Sequence, residues 1–212
     1  MIRLLAFALL LLPGLARAQD IFPALYDVTA VAADDVLNVR ADPMASAEKL
    51  GEFAPDATGI EVVELSDGGD WGRVNLSETT GWVSMAFLAR QPGQGYDDWL
   101  SGLAPRGLDC FGTEPFWSLA LGADGTLVLT DPFVDDGSPR PGAYVPVPRS
   151  AGAAPRGFQG WMADDATGLT GILSFEICSD GMSDALYGLA LDLVHQSPAR
   201  LRLDGGCCRL VP

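Results

Sequence analysis

Leu37-Asn38-Val39-Arg40 and, further on, Gly81-Trp82-Val83 decide the reading of the first half of this chain. In the first string apolar and polar residues alternate, the period of a strand with one buried face. Leu37 and Val39 point inward, and Asn38 and Arg40 can hold the turn that follows. In the second string Gly81 opens a hairpin, with Trp82 on the surface and Val83 in the core. The neighbouring segments share the habit. Ala24 to Ala32 carries Leu25, Tyr26, Val28 and Val31. Gly59 to Leu65 passes through Ile60 and Val62, and Trp71 to Leu76 follows. Ala41-Asp42-Pro43, Asp67-Gly68-Gly69-Asp70 and Ser77 to Thr80 are turn signals between them. Short strands so punctuated predict a small barrel or sandwich.

Gln91-Pro92-Gly93-Gln94-Gly95 breaks this pattern. Residues 91–107 therefore read as a linker, with two helical turns over Tyr96 to Leu103 that place Trp99, Leu100 and Leu103 on one stripe. Residues 108–212 read as a second β domain. Phe116 to Leu121 and Thr126 to Thr130 flank Gly122-Ala123-Asp124-Gly125, a hairpin signal. Thr170 to Cys178, Tyr187 to Val194, Arg200 to Leu203 and Cys207 to Val211 are further strand candidates. Asp131 to Phe158, rich in Pro, Gly and Ala, reads as a long loop. The fold class is all-β: a small barrel followed by a disulfide-braced barrel or sandwich-like domain.

Composition bounds the function. Of 212 residues, 13 are Lys or Arg and 28 are Asp or Glu, a net charge of −15. Nucleic-acid binding needs a basic footprint, which this chain lacks. Docking on anionic lipid is disfavoured for the same reason. Residues 1–18 read as a secretory signal peptide: Arg3, the apolar run Leu4 to Leu12, the breakers Pro13 and Gly14, and Ala16-Arg17-Ala18 as the cleavage site. The run is too short to span a bilayer as a helix, and no Cys follows closely enough for a lipid anchor. The mature chain, residues 19–212, is expected in the periplasm or secreted, not embedded in a membrane.

Export gives the four cysteines a meaning. Cys110, Cys178, Cys207 and Cys208 in an oxidising compartment predict two disulfides. A Cys207–Cys208 ring would be strained, so Cys110 and Cys178 each take one of the adjacent pair. On a strand, Cys207 and Cys208 would face opposite ways, one bridge to each side. A four-thiolate zinc site is the competing reading, but no C-x-x-C pair is present. No metal and no cofactor is expected.

Taken together, Leu37-Asn38-Val39-Arg40, Gly51, Trp71 with Val74, Gly81-Trp82-Val83 and Phe87-Leu88 resemble the bacterial SH3-like domain, placed here at residues 19–90. The resemblance implies a binding module for a peptide, a cell-wall fragment such as peptidoglycan, or an envelope protein. Its aromatic surface would be drawn from Tyr26, Trp71 and Trp82, since such rings give rigid contact area at little entropic cost. A second string, Cys110-Phe111-Gly112-Thr113-Glu114-Pro115-Phe116-Trp117, precedes Cys178-Ser179-Asp180-Gly181-Met182-Ser183-Asp184 and Gly205-Gly206-Cys207-Cys208. These resemble an uncharacterised family of exported bacterial proteins, which implies no activity. The basic residue usual after Ser-Asp in that family is Ala185 here.

Glu114, Asp180 and Asp184 are the acidic candidates. They could cap turns by accepting backbone N–H groups, share a cation, or do acid–base work on a sugar. His195, before Gln196-Ser197-Pro198, reads as a surface or turn histidine. No G-x-S-x-G string is present, and a Cys/His hydrolase needs a free thiol. The sequence thus predicts a periplasmic non-catalytic binding or adaptor protein. The alternative is an envelope hydrolase, or an ion- or small-ligand-binding protein, built on Glu114, Asp180 and Asp184. The ligand and the oligomeric state are not legible.

Overall fold

A computed structural model describes residues 21–132, 137–147, 156–163, 167–198 and 200–212. The segment read as a signal peptide lies outside these. The described residues are all-β apart from one short helix and one 3-10 turn. The first sheet has seven antiparallel strands: β1 (Ala24–Val28), β2 (Leu37–Arg40), β3 (Lys49–Phe53), β4 (Ile60–Leu65), β5 (Trp71–Leu76), β6 (Thr79–Ser84) and β7 (Leu88–Arg90). Their order is β3-β2-β6-β5-β4-β1-β7, and a 3-10 turn, Met85–Phe87, leads into β7. The alternation seen in the sequence is the burial observed. Leu37 and Val39, Val62, Val74 and Val83 are buried together with Tyr26. Gly81 is glycine because the backbones close here: a Cβ would lie 2.6 Å from a Val39 methyl and 2.9 Å from the Arg40 carbonyl. β3 gave no sequence signal, because Lys49-Leu50-Gly51-Glu52-Phe53 is an edge strand with no buried residue.

The second half closes into an eight-stranded antiparallel barrel. Its strands are β8 (Leu108–Thr113), β9 (Phe116–Leu121), β10 (Thr126–Thr130), β11 (Arg140–Val147), β12 (Arg156–Met162), β13 (Gly168–Ser174), β16 (Leu189–Ser197) and β17 (Arg200–Leu210). A two-stranded ribbon, β14 (Cys178–Ser179) and β15 (Leu186–Tyr187), interrupts the path from β13 to β16. Inward residues alternate along β9, β10 and β16: Trp117, Leu119 and Leu121; Leu127 and Leu129; Leu189, Leu191 and Leu193. Phe158, Met162 and Leu173 complete a filled interior of the kind small barrels have.

One sequence expectation changes here, and one left open is settled. The stretch Asp131 to Phe158 contains β11 and the start of β12, and is not one loop. Pro141 and Pro146 disguised β11, although both sit in register, opposite Val128 and Phe158. The disulfides are Cys110–Cys208, with a sequence separation of 98, and Cys178–Cys207, with a separation of 29. Cys208 faces inward, opposite Cys110 across the β8–β17 ladder, and Cys207 faces outward.

Segment 91–107 is anchored at both ends. Gln94 is buried and pairs with Leu25 as a strand would, accepting its N–H at 2.8 Å and donating to its carbonyl at 3.1 Å. Helix α1 (Tyr96–Ser101) lays Trp99 into the second core, where its ring meets Phe175 at 4.7 Å. Leu103 is buried with it, while Leu100 of the predicted stripe faces solvent. The two sheets meet along a polar seam. Asn75 donates to the Leu186 carbonyl at 2.7 Å and accepts its N–H at 3.0 Å. The Asp184 N–H donates to the Glu78 carbonyl at 2.9 Å, and the Leu210 N–H to Glu61 Oε1 at 2.8 Å.

Candidate functional site

A groove of about 450 Å³ opens on the first sheet. One wall is the loop from β1 to β2, through Val31, Asp35 and Val36. The floor and far wall are Leu37, Arg40, Trp71, Ser84 and Phe87. Local chemistry fixes each part. The Thr29 N–H donates to the Phe87 carbonyl at 2.9 Å, tying the 3-10 turn to the end of β1. The Asp35 carboxylate accepts the Val36 N–H at 2.8 Å, which shapes the loop. Trp71 begins β5 directly after the Asp67-Gly68-Gly69-Asp70 turn, and Ser66 and Trp71 close that turn backbone to backbone at 2.8 Å. Arg40 donates to the Ala47 carbonyl at 3.1 Å, so its guanidinium braces the β2–β3 turn beside the groove. The result is a groove in which Trp71, Phe87 and aliphatic side chains stand beside Asp35, Asn38, Arg40 and Ser84, the mixed make-up of a recognition site.

The three aromatic candidates fall in three places. Trp71 lines the groove. Trp82 shares its outward face, two cross-strand pairs along, but Arg73 lies over the ring at 4.6 Å, itself paired with Glu64 at 3.1 Å. Tyr26 is in the core, 5% exposed, stacked on Phe22. It therefore leaves the surface set: its position in the central part of β1 turns it inward. Val31, Val36 and Phe87 were not singled out from the sequence as wall residues. Their apolar character was legible, but the loop path that gathers them was not.

The acidic candidates do not form one site. Asp180 caps its own turn, accepting from the N–H groups of Met182 at 2.9 Å and Ser183 at 2.8 Å and from the Ser183 hydroxyl at 2.8 Å. Burial works against its charge, but these hydrogen bonds outweigh it and hold the carboxyl below its ordinary range. Glu114 and Asp184 are exposed on neighbouring turns. Among the described residues, no three His, Cys, Asp or Glu side chains stand together as a metal site.

The sequence misplaced His195. It is buried inside the second barrel on β16, not in a surface turn. Its Nε2 lies 2.9 Å from Asp204 Oδ2, so the proton sits on Nε2. Arg202 bridges the two buried carboxylates, pairing with Asp131 and, at 2.7 Å, with Asp204. His195 Nδ1, buried, has no hydrogen-bond partner among the described residues and stands 3.8 Å from Asp131 Oδ2. Burial and the neighbouring Arg202 charge pull the imidazole below its ordinary range despite the carboxylates. The pairings tie β16 and β17 to the end of β10.

The bacterial SH3 domain family model matches residues 35–89, from the groove loop to the start of β7. This covers about a quarter of the chain and includes most of the groove's lining. No curated protein and no solved structure matches the chain. The resemblance drawn for the second half from its Cys-containing strings therefore gains no support. No helix among the described residues is long and apolar enough to cross a membrane.

Proposed function

We propose that this chain is a non-catalytic binding or adaptor protein of the cell envelope, and that its ligand enters the Trp71 groove. One observation carries the reading. The groove is walled by Trp71, Phe87, Val31 and Val36, and most of its lining, Val31 apart, lies on the part of the chain that matches the bacterial SH3 domain. Its size and lining suit a short peptide or a peptidoglycan fragment presented in extended form. Two disulfides agree with an oxidising compartment, hence the periplasm or the exterior. The second barrel, its interior filled, would act through its outer surface. The hydrolase and ion-site alternatives lose ground, since Asp180 is committed to its turn and the three carboxylates do not converge.

Co-sedimentation with purified peptidoglycan tests the reading, with Trp71→Ala and Trp82→Ala alongside. Central aromatic contacts are commonly worth 2 kcal/mol or more, so Trp71→Ala should weaken pelleting by about tenfold or more. Trp82→Ala should leave it within about threefold, its ring being already covered by Arg73. Parent protein that stays in the supernatant would remove the wall version and leave an envelope peptide or protein as the ligand.

A further inference from the structure

The strings around Glu114 and Asp180 take no part in the groove, yet they build a surface of their own. Thr113 and Phe116 pair across the β8–β9 turn and so share the outward face. The loop from Cys178 to Tyr187 is laid over that face and fixed at several points, the Asn75–Leu186 pair among them. Cys178 is bonded to Cys207. Thr113 Oγ1 donates to the Asp180 carbonyl at 2.7 Å. Tyr187 meets Phe111 edge-on at 5.0 Å, and the Asp184 N–H donates to Glu78. Inside the loop the Asp180 carboxylate holds the turn, so Met182 is displayed and not folded inward.

Met182 is 68% exposed and Phe116 57%. On the outward face of β17, which pairs with β8, Leu203 is 67% and Leu201 71% exposed. These are the four most exposed large apolar side chains among the described residues, and they come from β9, from the loop that Thr113 of β8 holds, and from β17, which pairs with β8. Folding gains little from such a display, whereas an interface gains much. The pinning matters as much as the exposure, because a loop ordered beforehand loses less entropy when it binds.

Charge selects the partner. Glu114 and Asp184 are exposed on the turns that carry Phe116 and Met182, with Arg200 at the head of β17 and the Arg209–Asp109 pair, charge-neutral, further along it, on a chain of net charge −15. A second copy and an anionic bilayer would both be repelled. We propose that the Met182–Phe116–Leu203 surface docks a basic protein, with the pinned Met182 turn entering an apolar recess and the carboxylates meeting its positive rim. This is independent of the groove and survives if the groove reading fails.

The test immobilises the full chain and exposes it to soluble envelope proteins of the producing cell. Bound proteins are identified, purified, and titrated against the parent, a Met182→Asp/Phe116→Ser variant and Trp71→Ala. A partner of isoelectric point above about 9 is expected, released near 1 M salt where the screening length is about 3 Å. It should bind the double variant at least about tenfold more weakly and Trp71→Ala unchanged. A Glu114→Gln/Asp184→Asn variant should mainly slow association. Both multiple variants change exposed side chains, and unaltered melting confirms their folding. The proposal is overturned if only neutral or acidic proteins bind, if the double variant binds as the parent does, if nothing binds, or if anionic vesicles bind instead.

Discussion

His195 shows how much a single residue's meaning depends on closure of the barrel. The Pro198 turn signal suggested exposure, but β16 runs to Ser197 and turns His195 inward. Its carboxylate partners come from β17 and from the end of β10, and only the closed ladder brings them together. The chain has one histidine, so its imidazole signals are unambiguous in NMR. The account predicts a neutral ring protonated at Nε2, titrating below the ordinary 6.5. The sign for stability follows. The folded state favours the neutral ring, so this contribution is complete above about pH 6.5 and is lost as pH falls through the depressed folded value. Melting followed from pH 8 down to about 5 should show that loss, and His195→Gln should flatten the profile in this window. The aromatic candidates teach a related lesson. Residue type nominated Tyr26, Trp71 and Trp82 alike, and strand register separated a core ring, a groove ring and a covered ring.

At the scale of elements, strands with one buried face were legible and strands without one were not. β2, β5 and β9 alternate cleanly, so their period was visible. β3 lies at an edge with no buried residue, and β11 carries two prolines, so neither stood out. The groove was half legible: Trp71 was named, while its opposite wall depends on the fold of the β1–β2 loop. The disulfides were legible in number, and geometry then assigned one to each face. In the chain-entropy picture, a link spanning 98 residues contributes about 4.7 kcal/mol and one spanning 29 about 3.6. Replacing Cys110 and Cys208 by Ser should lower global stability by roughly the larger amount in denaturant titration. Replacing Cys178 and Cys207 should cost somewhat less and should release amide protection locally over Ser179–Ala185. Helix α1 makes its own prediction. Trp99→Ala removes a fully buried ring from the second core and should cost about 3–5 kcal/mol.

In the molecule as a whole, the segment read as a linker is a joint. Gln94 completes β1, Trp99 and Leu103 enter the second core, and Leu25 of the first sheet is buried there too. Composition marks a break at Gln91-Pro92-Gly93 but does not report that one buried glutamine and one tryptophan reach into both flanks. Along the seam, Glu61 is the group most out of place. Burial pushes its carboxyl up to about 7, against the help of the Leu210 N–H and Arg209. A carboxyl raised by folding resists ionisation, so stability falls as pH rises from about 4.5 to 7 and stays lower above. At about 1.4 kcal/mol per pKa unit, the penalty is at most about 3–4 kcal/mol. Glu61→Gln should therefore stabilise the protein at pH 8 and leave it nearly unchanged at pH 4. Near neutrality the two trends, from His195 and Glu61, oppose each other, and the single variants separate them.

The claim that organises this account is that the Trp71 groove is where the ligand binds. The most direct measurement titrates soluble peptidoglycan fragments and their stem peptides into isotope-labelled protein and follows the indole N–H signals of its five tryptophans. The account predicts saturable shifts at Trp71, accompanied by Val31, Val36 and Phe87, with Trp99 and Trp117 unmoved in the second core. Shifts confined to the second barrel, or none with any fragment, would contradict it.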